Sequence, residues 1–179
     1  MLYAHRNAFY ALLLGIASWL LVACSQQQQY EAPPRVPGYH YVPGQTALLL
    51  RNGHAVPPKS APPQVKRAIY AANKLVGKPY RMGGGHKRHY DSSYDCSGSV
   101  SFVLREAGLM TSIRHSRLFM KYGRPGPGRW ITVYAKNGHV FMTICGLRFD
   151  TSGRGGKGPA WRVEPRDSRH FQMRHPYSF

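Results

Sequence analysis

The sequence predicts an α+β domain on three observations. Two segments carry apolar residues at helical spacing, three segments of period two follow them, and the joints between those three are short turn signals, Asn137-Gly138 and Cys145-Gly146. Helices first and strands afterwards argue for α+β rather than an alternating α/β chain with a parallel sheet. The 179 residues, 42% hydrophobic and 12% aromatic, supply one domain with accessories and enough apolar surface for a core.

The accessories come first in the chain. Residues Phe9 to Ala23 (FYALLLGIASWLLVA) form an apolar run behind Arg6. The run is shorter than the about 20 residues a spanning helix needs and suits the hydrophobic region of a signal peptide over residues 1–23. Leu21-Val22-Ala23-Cys24 resembles the lipobox of bacterial lipoproteins. That resemblance implies lipidation of Cys24 and attachment to the membrane through the N-terminal lipid. Ser25, where an Asp would signal inner-membrane retention, points to the outer membrane facing the periplasm. Residues 24–46, with four glutamines in a row and several prolines, read as a flexible tether. Residues 47–59 read as an arm, because Asn52-Gly53 between short apolar runs is a hairpin signal. Residues 60–179 then form the main domain.

Within it, Val65, Ala68, Ile69, Ala72 and Leu75 share one helical face, and Gly77 and Pro79 end the helix. A Gly-rich loop, Met82 to Gly85, leads to Tyr94-Asp95-Cys96-Ser97-Gly98. Val100, Val103, Leu104 and Ala107 mark a second helix starting at Cys96, buried on its apolar side and stopped at Gly108. Thr111 to Arg129 reads as a basic loop. Trp130 to Ala135, Gly138 to Cys145 and Leu147 to Ser152 read as three antiparallel strands, and Trp161-Arg162-Val163 and Phe171 to His175 as further extended pieces.

The chemistry concentrates at the helix start. Unpaired N–H groups and the helix dipole at Cys96 favour an anion and offer an oxyanion hole for a tetrahedral intermediate. Asp95, directly before it, is a good N-cap. His139, opening the second strand after a glycine, is the candidate base for Cys96.

These residues carry a family resemblance. Lys78-Pro79-Tyr80-Arg81-Met82-Gly83-Gly84, then Asp95-Cys96-Ser97-Gly98-Ser99-Val100, then Gly138-His139-Val140 resemble the NlpC-type cell-wall cysteine peptidases over roughly Gln64 to Ser152. The resemblance implies a trimmed papain-like fold and hydrolysis of amide bonds in peptidoglycan stem peptides by a thiolate. It also implies a groove lined by Tyr80, Asp95 and Ser97, with Asp95 meeting the substrate's free amine. A third polar residue, usually His, Asn or Gln on the next strand, orients the histidine in that family, and this sequence departs from the pattern. Strand parity selects a substitute: with a two-residue turn at Cys145-Gly146, Phe141 pairs with Asp150, so Asp150 shares the face of His139. An odd-length turn would select Thr151. A retired domain that scaffolds the envelope, and a thiol amidase or acyltransferase with another substrate, are the competing readings.

The charge balance limits the partners. Against 25 Lys+Arg stand only seven acidic residues, for a formal net charge of +18. An acidic metal cage is nearly excluded by supply, and an anionic partner is favoured. No nucleic-acid motif accompanies the basic residues, which are scattered, so wall polymer and membrane are the expected partners and nucleic acid is not. His86, His89 and His115 lack the companions of a zinc site and read as surface histidines, and no metal or other cofactor is expected. Cys96 and Cys145 could in principle form a disulfide, though a small buried side chain accounts for Cys145. The sequence carries no signal for an oligomeric state.

Overall fold

A computed structural model describes residues 40–153 and 158–179. The signal segment, Cys24 and most of the tether lie outside the described residues. Strands β1 (Leu48–Leu49) and β2 (Ala55–Val56) pair antiparallel as a short hairpin, Leu48 opposite Val56. Asn52 Oδ1 accepts from the His54 N–H at 3.0 Å and tightens its turn. The Asn73 side chain ties the hairpin to the domain. It accepts from the Ala55 N–H at 2.9 Å, donates to the Ala55 carbonyl at 2.8 Å and accepts from the Trp161 indole at 2.8 Å.

Helix α1 (Pro63–Asn73) opens with a proline in its first turn and buries Val65, Ala68, Ile69, Ala71 and Ala72. Helix α2 (Cys96–Glu106) differs from the expectation of a single apolar face: every residue from Cys96 to Leu104 is buried. The polar side of its first turns is covered as well, because Ser97, Gly98, Ser99 and Ser101 are small enough for loops to lie directly on them. A Cβ on Gly98 would collide with the Gly84 carbonyl oxygen, and one on Gly85 with the Tyr94 ring. Ser101 Oγ meanwhile accepts from the Arg114 N–H at 3.0 Å. The two glycine-containing motifs of the sequence therefore interlock.

The main sheet has six antiparallel strands in the order β3-β8-β4-β5-β6-β7: β3 (Arg124–Pro125), β4 (Ile131–Lys136), β5 (His139–Ile144), β6 (Leu147–Asp150), β7 (Ala160–Arg162) and β8 (Gln172–His175). Ile131, Val133, Ala135, Val140, Met142, Ile144, Leu147 and Phe149 all point into the core. The region expected as a loop, 111–129, contains a four-residue helix, α3 (Ser116–Phe119), and the edge strand β3. Neither is long enough to print a periodicity, and β3 is an Arg-Pro pair, tolerated because it lies on the edge. Phe119, at the end of α3, is fully buried.

The β5–β6 turn is the two-residue form, Cys145-Gly146, with φ of 48° and 73°. Two positive φ values define the primed turn that matches strand twist. Met142 pairs with Phe149 and Ile144 with Leu147, a register that continues to Phe141 and Asp150. On the outer face of the sheet Tyr134 stacks on Phe141 at 4.6 Å. The connection from β7 to β8 lies across this face: Arg166 sits 5.2 Å from the Phe141 ring centroid and Phe171 packs edge-on against it at 5.1 Å.

Candidate active site

The N-terminus of α2 is built around Asp95. Its carboxylate accepts from the Gly98 N–H at 2.7 Å, capping the helix, and from the Gly83 N–H at 2.9 Å, which fixes the glycine loop against it. Ser97 Oγ donates to Asp95 Oδ1 at 3.0 Å. His86 Nε2 lies 3.1 Å from the same oxygen and 3.0 Å from Ser97 Oγ. His86 is thus no surface histidine. Its side chain is 12% exposed and its ring stacks on His115 at 4.6 Å. His89 also departs from that expectation: it is half-buried, bonded to Glu106 Oε1 at 2.6 Å and stacked on Phe102. A basic sequence context hid both, since their carboxylate partners lie nine and seventeen residues away.

Cys96 occupies the first position of α2 with its side chain buried. Its thiol is close enough to His139, the first residue of β5, to raise the pKa of the ring. On the imidazole, Nε2 lies 3.0 Å from Asp150 Oδ1, which leaves Nδ1 for the sulfur. Asp150, not Thr151, meets the ring, as parity on a two-residue turn requires. The structure thus brings Cys96, His139 and Asp150 together from α2, β5 and β6, with His139 bonded to Asp150 and Cys96 beside the ring. Tyr80 is half-buried close by; burial, and then the charges of Cys96 and Asp95, push its phenol pKa up.

The electrostatics run in a consistent direction. Burial alone would lower the His139 pKa, but the hydrogen bond to Asp150 and the neighbouring Cys96 thiol, with their negative charges, outweigh it and raise it to about 9. For Asp150 burial works upward, and the hydrogen bond and charge of His139, then Arg166, hold it below the usual carboxylate value. The ring and the carboxylate therefore stabilise each other's charged forms. Cys145, by contrast, is a free thiol pushed up to about 12 by burial. Cys96 is free too, so no disulfide joins them.

Two further residues complete the arrangement and were not apparent from the sequence. Ser152 donates its backbone N–H to Asp150 Oδ1 at 3.1 Å, and its hydroxyl lies 3.3 Å from that oxygen and 3.5 Å from His139 Nε2. Arg166 donates from Nη1 to Asp150 Oδ2 at 2.9 Å and to Ser152 Oγ at 2.7 Å. The Asp-x-Ser spacing is a short-range turn signal that could have indicated Ser152. Nothing local marks Arg166 among the other basic residues. Phe171 closes the other side, edge-on to His139 with centroids 6.2 Å apart. Among the described residues no group of three His, Cys, Asp or Glu side chains is arranged to hold a metal ion.

No protein-family model matches the chain, and neither does any curated protein. It is similar to several solved structures. One is the P60 domain of an antigen from M. avium subspecies paratuberculosis, 22% identical, with a TM-score of 0.48 over 62% of this chain and 93% of that one. A hypothetical invasion protein of Mycobacterium tuberculosis is 21% identical with a TM-score of 0.48, and the resuscitation promoting factor interacting protein RipA, mutated at a cysteine, is 20% identical with the same score. The match spans 63% of this chain and 62% of each of those two.

Proposed function

We propose that this chain is a cysteine peptidase of the NlpC/P60 type that hydrolyses amide bonds in peptidoglycan stem peptides. The observation that carries the reading is the Cys96–His139–Asp150 arrangement at the N-terminus of α2. A thiol, an imidazole and a buried carboxylate in that order are the parts of a nucleophile, a general acid–base and its orienter. The resemblance of the Asp-Cys-Ser-Gly and Gly-His-Val motifs supports the family, and the net charge of +18 supports an anionic wall polymer.

The steps follow from the geometry. Cys96 Sγ attacks the amide carbonyl, forming the S–C bond. The N–H groups of Cys96 and Ser97 lie in the first turn, where helices lack internal partners, and take the oxyanion. His139 gives its proton to the leaving nitrogen as the C–N bond breaks, and the thioester remains on Cys96. His139 then takes a proton from water, whose oxygen displaces the sulfur and regenerates the site. Asp150 holds the ring in one orientation throughout and stabilises the imidazolium, while Arg166 and Ser152 hold Asp150. Asp95, which accepts from Gly83, Gly98 and Ser97 and meets His86, sets the position of Cys96 by capping its helix, and with Tyr80 and Ser97 borders the entrance for substrate.

In this reading the signal segment and Cys24 place the enzyme in the bacterial envelope on a lipid anchor, with the Gln- and Pro-rich stretch as its tether. The test is digestion of purified peptidoglycan by wild-type protein and by Cys96→Ala and His139→Ala, with mass spectrometry of the soluble fragments. Defined fragments from wild type alone are expected, and their masses name the bond. Binding to the polymer without fragments would overturn the enzyme in favour of a scaffold.

A further inference from the structure

The outer face of the sheet holds a second concentration of buried charge, on the side of Asp150 away from His139. A cavity of about 170 Å³ opens there between β4, β5, β6 and the connection to β8. Three guanidinium groups line it, from Arg148, Arg162 and Arg166, together with Tyr134, Phe141 and Thr143. Arg148 is the informative one. Its side chain is 9% exposed, and its nearest carboxylates are both 3.8 Å away, Asp150 from Nε and Glu164 from Nη2. Those distances are ion-pair contacts without hydrogen bonds, and Nε is buried with no hydrogen-bond partner. Asp150 cannot serve it better, because its oxygens are engaged by His139, Ser152 and Arg166.

A buried guanidinium N–H without an acceptor favours any ligand that supplies one. Burial does pull the Arg148 pKa down; the charge of Asp150 opposes this and that of Arg166 adds to it. Arg148 and Arg166 thus share Asp150, which is already committed to an imidazolium, and Arg148 has Glu164 only at 3.8 Å, while Arg162 donates to the Gly158 carbonyl at 3.4 Å. What the cavity lacks is a negative group with several acceptor oxygens, small enough to fit and flat or tetrahedral enough to meet a guanidinium fork. We propose that the cavity bounded by Arg148, Arg162 and Arg166 binds a small oxyanion, a carboxylate or a phosphoryl group. Because Arg166 Nη1 also holds Asp150, an occupant there stands one hydrogen bond away from the carboxylate that orients His139.

The inference is separable from the catalytic reading, since binding is measured without turnover. The full chain is titrated with inorganic phosphate and, separately, with acetate, at ionic strength held constant with sodium chloride. The arginine Nε–H resonances and the thermal midpoint are followed. A saturable shift of the Arg148 Nε–H with one of the two anions is expected, and the preferred anion separates a phosphoryl from a carboxyl source. Arg148→Met and Arg162→Met should each weaken binding by about tenfold or more, the loss expected for a charge-assisted hydrogen bond. Lys121→Met, an exposed charge elsewhere, should leave it unchanged. Thr143→Glu keeps all three arginines and should block binding by filling the cavity with a tethered carboxylate, which preserves the test if an arginine variant fails to fold. No saturable shift with either anion, or undiminished affinity in the folded variants, would overturn the proposal.

Discussion

Replacing Asp150 by Asn isolates the charge that the account places behind His139. The Asp150 side chain is 0% exposed, so its effect on the ring is little screened by water. His139 stands at about 9 instead of the ordinary 6.5. At about 1.4 kcal/mol per pH unit this is about 3 kcal/mol in favour of the imidazolium, and the hydrogen bond to Asp150 is the largest contribution in that direction. Removing the carboxylate should lower the His139 midpoint well below 9, because only Cys96 then opposes burial. The Asn variant also strands Arg166 and Arg148, which puts about 3–5 kcal/mol of stability at risk. Asp150→Asn/Arg166→Leu, which removes one charge of each sign, is therefore measured beside it. The assay is an NMR titration of the His139 ring protons, paired with the pH profile of kcat/KM on peptidoglycan. Activity should fall by up to the order of 10⁴-fold, as when the carboxylate of a catalytic triad becomes an amide. A His139 midpoint that stays near 9 in both variants would refute the assignment of Asp150.

Gly98→Ala should cost about 2–3 kcal/mol in urea unfolding, as overpacking does, because its methyl group would meet the Gly84 carbonyl; an unchanged midpoint would mean that the two motifs do not interlock. Iodoacetamide should alkylate Cys96 in the native protein and spare Cys145, whose buried thiol is raised to about 12; peptide mapping shows which sulfur reacts, and equal labelling would contradict the geometry. Stability should depend on pH through the ring: a raised pKa contributes in full below the unfolded value near 6.5 and is lost as pH rises through about 9. Asp150, with a lowered pKa, contributes above its unfolded value of about 4 and loses this on acidification. Urea midpoints that fall between pH 6.5 and 9 in wild type, but not in His139→Gln, would bear this out, and parallel curves would not.

Most of what could be read in the sequence was local. The α1 face, the start of α2 at Cys96 and the β4–β5–β6 run all rest on periodicity and turn chemistry within a few residues. That Asp150 and not Thr151 faces His139 was also legible, because a strand's period of two turns a count of turn residues into a choice of face. What stayed hidden depends on contacts far apart in the chain or on elements too short to show a period. Arg166 reaches Asp150 from sixteen residues away and Asn73 meets Trp161 across 88, and neither pairing leaves a trace in local composition. His86 looked like a surface residue because Lys87 and Arg88 follow it, yet the fold of the glycine loop turns its ring inward onto Asp95. The apolar pattern of α2 correctly gave one face, and its small polar residues concealed that the other is buried too.

The central claim, that Cys96 is the nucleophile and His139 its acid–base partner, is tested most directly by catching the covalent intermediate. The full chain is mixed with peptidoglycan stem peptides, quenched in acid on a short time scale, and analysed by intact mass followed by peptide mapping. The account predicts a thioester adduct on Cys96 that is absent in Cys96→Ala and fails to build up in His139→Ala. Peptide cleavage by Cys96→Ala at the wild-type rate, with no adduct on any residue, would contradict it.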